Sequence, residues 1–284
     1  MYLVIVICLF ERHWSDVSAM KQLPALAGDF ARLGIRRHRL VVYDNSSSPQ
    51  AAAAAAFPEL DYVHDPGNGG TAAAYEFGSD LASREQADWL LLLDHDTALP
   101  TNFFPAWVRS MNEGDSEAVE AFVPWVMHES LVVSPATVTS FGSILPLSRE
   151  STPPHTARPL TAIASGSILR VAALRSLMPL PKGLWLDYVD HWIFAKIRAR
   201  GGSVRIIDAT LEHDLSIARP ASLSRRRLLS VLEGEARFVR SLGWRARWAH
   251  PFRLARRLTR YLIVRPRLAA WMAGWMFSGF RVAP

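Results

Sequence analysis

Cysteine is almost missing from this 284-residue chain, with Cys8 the only one. No disulfide can form within the chain, and a lone thiol inside an apolar run reads as buried and structural rather than nucleophilic. Long hydrophobic runs are missing as well. Met1 to Phe10 is apolar but has neither a basic leader nor a small-residue cleavage site, so it reads as a strand and not as a signal peptide. Ser130 to Ser148 is uncharged, yet Pro135, Pro146 and many hydroxyls break it into strands and loops. No segment has the length and hydropathy of a transmembrane helix. No RNA- or DNA-binding motif is visible, which disfavours nucleic acid as a partner. Half of the residues are apolar, enough for one substantial core plus an appendage, as expected of a folded cytosolic protein.

Lysine and acid are scarce toward the C-terminus. Residues 216–284 hold fifteen arginines, no lysine, and only Glu233 and Glu235 as acids, a net +13 against −7 for the remainder. Such a split points to an anionic partner. Leu228, Val231, Leu232, Phe238, Val239 and Leu242 recur at helical spacing, and so do Trp244, Trp248 and Phe252. Leu268 to Phe280 is thirteen uncharged residues, too short to span a bilayer but suited to its interface. The expectation is an Arg-rich helical extension, 216–284, peripheral at the inner face of the cytoplasmic membrane. Trp271, Trp275 and Phe277 would enter the headgroup layer. The competing expectation is that these helices pack on the rest of the chain, or on a second subunit of a homo-oligomer.

Residues 1–215 have a different character. Met1 to Leu9, Arg39 to Tyr43 and Leu60 to His64 are strand-like, each followed by a polar turn, and an Ala-rich helical stretch runs to about Leu81. This alternation marks βαβ units on a mostly parallel sheet, an α/β fold. The second strand ends in Asp44, ahead of a turn and a helix start near Pro49. The third leads into Asp65-Pro66-Gly67-Asn68-Gly69-Gly70-Thr71, whose glycines would let backbone amides approach an anion at a helix N-terminus.

The most informative junction is Trp89 to Leu93 followed by Asp94-His95-Asp96. Alternate residues of an extended chain point the same way, so two carboxylates leave the strand end together. They repel unless a cation or a proton intervenes, and strand carboxyl ends of open α/β sheets are where ligands bind. A hard divalent ion bridging carboxylates and phosphates fits. The alternative is that both aspartates merely cap a helix entered at Pro100-Thr101-Asn102.

In this order the pieces resemble the family-two glycosyltransferases, which have the A-type, Rossmann-like nucleotide-sugar fold. The resemblance covers about residues 1–215 as the catalytic domain. It implies that Asp44 contacts the base or ribose of the donor, and that Asn68 to Gly78, with Gly69 and Gly70, walls the donor site. It further implies that Asp94 and Asp96 handle ribose, diphosphate and metal. Trp185 to Trp192 looks like the D-Y-V-D segment of bacterial rhamnosyltransferases, which implies Asp190 as catalytic base, with Asp187 second. Glu212-His213-Asp214 follows at the spacing where such enzymes carry a histidine, so His213 would join Asp96 on Mg2+ or Mn2+. Three positions depart from the pattern: Phe10 to His13 after the first strand, Glu76 in the glycine-rich segment, and Trp192 after D-Y-V-D.

The function expected is metal-dependent, inverting transfer from a nucleotide-sugar donor, with L-rhamnose on a dTDP carrier suggested by likeness. The acceptor would be a hydroxyl of a cell-envelope or lipid-linked glycan. The other class is a non-catalytic relative that binds a partner or membrane through its basic tail. Ser165-Gly166-Ser167 reads as a strand bulge or as acceptor lining, and Trp125 and Trp185 read as sugar-stacking or as packing residues.

Overall fold

The computed structural model describes residues 1–50, 60–114, 118–152, 158–212 and 224–277. The chain opens with β1 (Tyr2–Leu9), α1 (Ser18–Ala27), β2 (Arg37–Asp44), β3 (Leu60–His64) and α2 (Gly70–Arg84). It continues through β4 (Trp89–Asp94), α3 (Phe103–Asn112) and β5 (Val119–His128). Three short strands, β6 (Leu131–Ser134), β7 (Ala136–Val138) and β8 (Ile144–Pro146), occupy the stretch expected to be strands and loops. Then come β9 (Leu160–Thr161), β10 (Ser167–Arg170), α4 (Val171–Arg175), α5 (Val189–Ala199) and β11 (Ser203–Glu212). Three helices follow: α6 (Arg225–Ser241), α7 (Trp244–Val264) and α8 (Pro266–Phe277).

The main sheet runs β11-β5-β10-β4-β1-β2-β3, with β6 beside β5, while β7, β8 and β9 make a small second sheet. β1 pairs in parallel with both β2 and β4, and β2 pairs in parallel with β3. β10 is inserted antiparallel between β4 and β5. The order reverses at β1, since β2 lies on one side and β4 on the other. That makes the carboxyl ends of β1 and β4 a topological switch point, where open α/β sheets bind ligands.

Strand β1 shows why the sheet lies where it does. Val4, Val6 and Cys8 pack into one buried cluster with Ala74 and Tyr75 of α2. Leu3, Ile5, Ile7 and Leu9 pack into the opposite cluster with Met20 of α1 and Phe103, Phe104 and Trp107 of α3. Both faces of the strand are covered by helices, so its sequence is apolar throughout rather than alternating. Gly78 lets α2 approach this layer, because a Cβ there would stand 2.5 Å from Val6 Cγ2. Burial pushes the Cys8 thiol pKa far above its ordinary value, and Asp94 adds to the effect. This is the inert thiol the sequence suggested.

Helix α6 and the start of α7 are packed onto the sheet domain, and α8 is packed onto α6 and α7. Phe238 and Val239 of α6 join Val138, Ala195 and Ala246 in one cluster. Leu228 and Leu232 meet Leu254, Leu268 and Met272 in another. Glu235, one of the two acids of this region, is buried 2.6 Å from Arg257 and lies 3.9 Å from Arg253. His250 stands 3.6 Å from it, but burial lowers the imidazole pKa, outweighing the pull of Glu235 toward the charged form.

Candidate active site

Register places the acidic strand ends together. Leu9 pairs with Asp44, and Cys8 pairs with Asp94, so β2 and β4 finish on either side of β1. Beyond β4 the chain turns at once, with the Thr97 amide donating to the Asp94 carbonyl at 3.1 Å. Helix α3 begins only at Phe103, with Asn102 at the cap position. The helix-capping alternative for Asp94 and Asp96 is therefore excluded by geometry. Both aspartates are half-buried on the turn itself.

This turn is held by a segment far away in sequence. The Asp94 amide donates to Ser165 Oγ at 3.3 Å, and the Thr97 hydroxyl is hydrogen-bonded to the same Ser165 oxygen. The Ala164 amide, one residue earlier, donates to Asp190 Oδ2 at 3.2 Å. Adjacent residues of one segment thus fix the D-x-D turn and the first turn of α5, and consecutive Cα atoms lie only about 3.8 Å apart. Asp190 Oδ1 accepts from the His191 amide at 2.7 Å. Tyr75, fully buried on α2, feels the same two acids. Burial raises its pKa most, and Asp94, Cys8 and Asp190 add to the rise. Ser165-Gly166-Ser167 is the entry to β10, with Gly166 at φ +79° and its amide on the Leu92 carbonyl at 2.8 Å. Both serines are buried, and β10 pairs with β4 without a register shift from Ser167 on, so the segment enters the strand and forms no bulge there. Trp125 is buried in the core as well.

Asp187 has a different environment. Its side chain is 4 % exposed and lies 2.9 Å from Arg227 of α6. Burial raises its pKa against the opposing pull of Arg227 and Ser230. It does not cap α5. Tyr188 takes the cap position, at φ +64°. Gly234 of α6 packs against the Asp187 carbonyl so closely that a side chain there would collide with it. Trp185 is clamped from two sides: its indole N–H donates to the Asn68 carbonyl at 2.7 Å, and the Arg226 guanidinium stacks 4.2 Å from the ring centroid.

The glycine-rich turn needs a correction. Asp65, which the sequence reading passed over, accepts from the Gly67 amide at 2.9 Å and the Gly69 amide at 2.8 Å. The Gly70 amide donates to Asn45 Oδ1 at 3.0 Å, and the Ala72 amide to the Trp185 carbonyl at 3.1 Å. These amides are engaged within the protein, and the close approach that the glycines permit is to Asp65 and Ala73 at Gly69 and to Trp185 at Gly70. Gly70 sits at φ +74°, and a Cβ there would lie 2.7 Å from Trp185 Cδ1. Gly70→Ala is accordingly expected to cost about 2–4 kcal/mol, combining left-handed strain with overpacking. Thermal melting checks this, and an unchanged midpoint would refute it.

Asp44 is fully buried at the end of β2. Its Oδ1 accepts from the Ser46 amide at 2.9 Å and its Oδ2 from the Tyr62 hydroxyl at 2.6 Å, with Gln50 Nε2 at 3.4 Å. It orders the strand-end turn through protein donors. The three departures from the family pattern also acquire partners. Glu11 accepts from the Ser47 amide at 3.0 Å, Glu76 accepts from the Leu180 amide at 2.6 Å, and Trp192 is buried. His213 and the helix expected after Pro49 lie outside the described residues. Glu212, however, forms a bridge with Ala98, two residues past Asp96. The chain therefore reaches position 212 beside the D-x-D turn. Among the described residues no three His, Cys, Asp or Glu side chains stand together as a metal cluster.

Residues 30–165 match the model of glycosyl transferase family 2. Among solved structures, the chain is similar to S. aureus TarS, with a TM-score of 0.50 and 14 % identity over 85 % of this chain and 42 % of that one. It is also similar to S. aureus TarS 1-349 in complex with UDP-GlcNAc, with a TM-score of 0.50 and 13 % identity over 86 % of this chain and 71 % of that one. It spans less than half the length of the first of these. No curated protein sequence matches it. The match to the family model covers just under half of the chain, and the solved structures share its fold, a mixed α/β architecture of the A-type nucleotide-sugar kind. In this chain α6, α7 and α8 follow the last strand of that fold.

Proposed function

We propose that the protein transfers a sugar from a nucleoside-diphosphate sugar to an acceptor hydroxyl, with inversion at the anomeric carbon. The observation that carries this reading is the tie through Ala164 and Ser165, which joins the D-x-D turn to Asp190 across the mouth of the switch point. A donor diphosphate lying by Asp94 and Asp96 would present its sugar toward Asp190. The arriving hydroxyl must lose a proton, and a carboxylate in reach of it serves as general base. Asp190 takes that part. Its two oxygens each accept one backbone amide, and each retains a second lone pair for a substrate hydroxyl. Asp187, tied to Arg227, positions the loop before α5 instead of receiving the proton.

The carboxylates suit a hard divalent cation, Mg2+ or Mn2+, which keeps water and phosphate oxygens as most of its ligands and needs few from protein. Asp96 and His213 would hold it, and Asp94 would serve ribose and diphosphate. When bound, such an ion supplies Lewis-acid stabilisation of the leaving diphosphate. Because Asp44 is satisfied by Ser46 and Tyr62, its contribution to base selection is through the shape of the turn it orders. By likeness in the D-Y-V-D segment, the donor we favour is a dTDP-linked L-rhamnose, and the acceptor a cell-envelope or lipid-linked glycan.

Calorimetry with dTDP, UDP and GDP, each with and without Mn2+, tests the reading. At least one should bind, at least about tenfold more tightly with the metal. Absence of binding by all three would favour a non-catalytic protein of this fold.

A further inference from the structure

Helix α7 has two opposed faces. Ala246, His250 and Leu254 turn inward and are buried against the neighbouring helices. On the other side Trp244 and Trp248 are each 71 % exposed, with Phe252, Leu262 and Ile263 at 64, 61 and 80 %. At about 100° per residue these five fall within an arc of about 100°, a ridge on one side of the helix, with Ala255 and Thr259 between Phe252 and Leu262. Phe141 extends it sideways, exposed and attached to α7 by the Arg253 guanidinium, which donates to its carbonyl. Arg245, Arg256 and Arg260 flank the ridge on one side and Arg247 on the other, all exposed. Neither α7 nor α8 contains an acidic residue. Glu235 engages Arg253 and Arg257 from within, so the flanking arginines are those turned outward.

We propose that this ridge docks the protein on an anionic lipid bilayer. An exposed apolar patch rimmed by charge marks an interaction surface. A helix with aromatic and aliphatic groups on one face and arginines beside them is the form that lies in the plane of a membrane interface. Among the described residues no helix is long and apolar enough to cross a membrane. A second copy of the chain fits less well. A two-fold contact sets the same patch against itself, which would oppose arginine to arginine with no acid on α7 to answer them. The docking residues differ in part from those the sequence suggested. Trp271 and Trp275 pack against the cluster of Leu228, Leu254 and Met272, whereas Phe277 stays 85 % exposed, so α7 supplies most of the insertion surface and α8 keeps Phe277. The proposal is independent of the chemistry at the D-x-D turn.

Co-sedimentation of the full chain with phosphatidylcholine vesicles, with and without phosphatidylglycerol, tests it. Binding is expected at low salt on the anionic vesicles, at least about tenfold weaker on phosphatidylcholine alone, and reduced by added salt. Each arginine near an anionic surface contributes about fivefold in affinity. Arg245→Gln, Arg256→Gln and Arg260→Gln combined should therefore weaken binding about 10²-fold. Trp248→Ser with Phe252→Ser should remove the salt-resistant part, with melting unchanged because both side chains are exposed. Failure of the wild type to bind anionic vesicles would overturn the proposal. So would full binding by both sets of variants. Conversion of a wild-type dimer to a monomer by the ridge variants, without vesicle binding, would assign the surface to a second copy.

Discussion

Asp190→Asn is expected to lower turnover by about 10² to 10⁴-fold, the range general bases contribute, while nucleotide affinity stays within a few-fold. The substitution keeps the size of the side chain and removes its proton acceptor. It carries a structural cost as well. Both carboxylate oxygens of Asp190 accept backbone amides, from Ala164 and His191, and an amide NH2 cannot accept. One hydrogen bond is lost, worth about 1 kcal/mol. The melting point should therefore fall slightly, and donor binding by calorimetry separates that cost from catalysis. Asp187→Asn is the matched control. It removes one charge of a buried pair with Arg227, so its main effect should be on stability, because the remaining charge is left uncompensated. A crippled Asp187→Asn beside an active Asp190→Asn would exchange the two assignments.

Much of this site can be read from the chain. The strands at Tyr2–Leu9 and Trp89–Asp94 announce themselves as apolar runs because both their faces are covered. Helix α2 falls close to where the pattern puts it, running from Gly70 to Arg84. Other parts need the fold. Nothing near Ala164 and Ser165 in sequence shows that they hold residues 94 and 190, because antiparallel insertion of β10 beside β4 creates that contact. The same holds for Arg226 and Arg227, which lie far along the chain from the Asn68 and Asp187 groups they meet. Asp65 was within reach, since an aspartate two residues before glycine in a Pro-Gly-Asn-Gly turn commonly accepts the following amides. The direction of α8 was within reach too. A helix with apolar residues on every side, as Leu268 to Phe277 is, is ordinarily buried, whereas α7 alternates arginine with isolated aromatics and shows its ridge outward.

Asp96→Ala should reduce turnover by at least about 10²-fold, the usual effect of removing one electrostatic contact to a developing negative charge. The turn should survive the change. Two of the bonds that hold it run to the Asp94 carbonyl, which receives the Thr97 amide, and to Ser165, which receives the Asp94 amide. Neither of these bonds involves the Asp96 carboxylate. The residue also lies just past a strand end, partly buried, rather than in the core, so melting should move little. The informative measurement is nucleotide binding with and without Mn2+. If Asp96 holds the ion, the variant should bind nucleoside diphosphate about as the wild type does without metal, and should show no gain when Mn2+ is added. If it serves only the ribose, affinity should fall under both conditions while the gain from Mn2+ persists. Near-normal turnover together with a persistent metal gain would remove Asp96 from the metal site, leaving the D-x-D turn a role in donor shape alone.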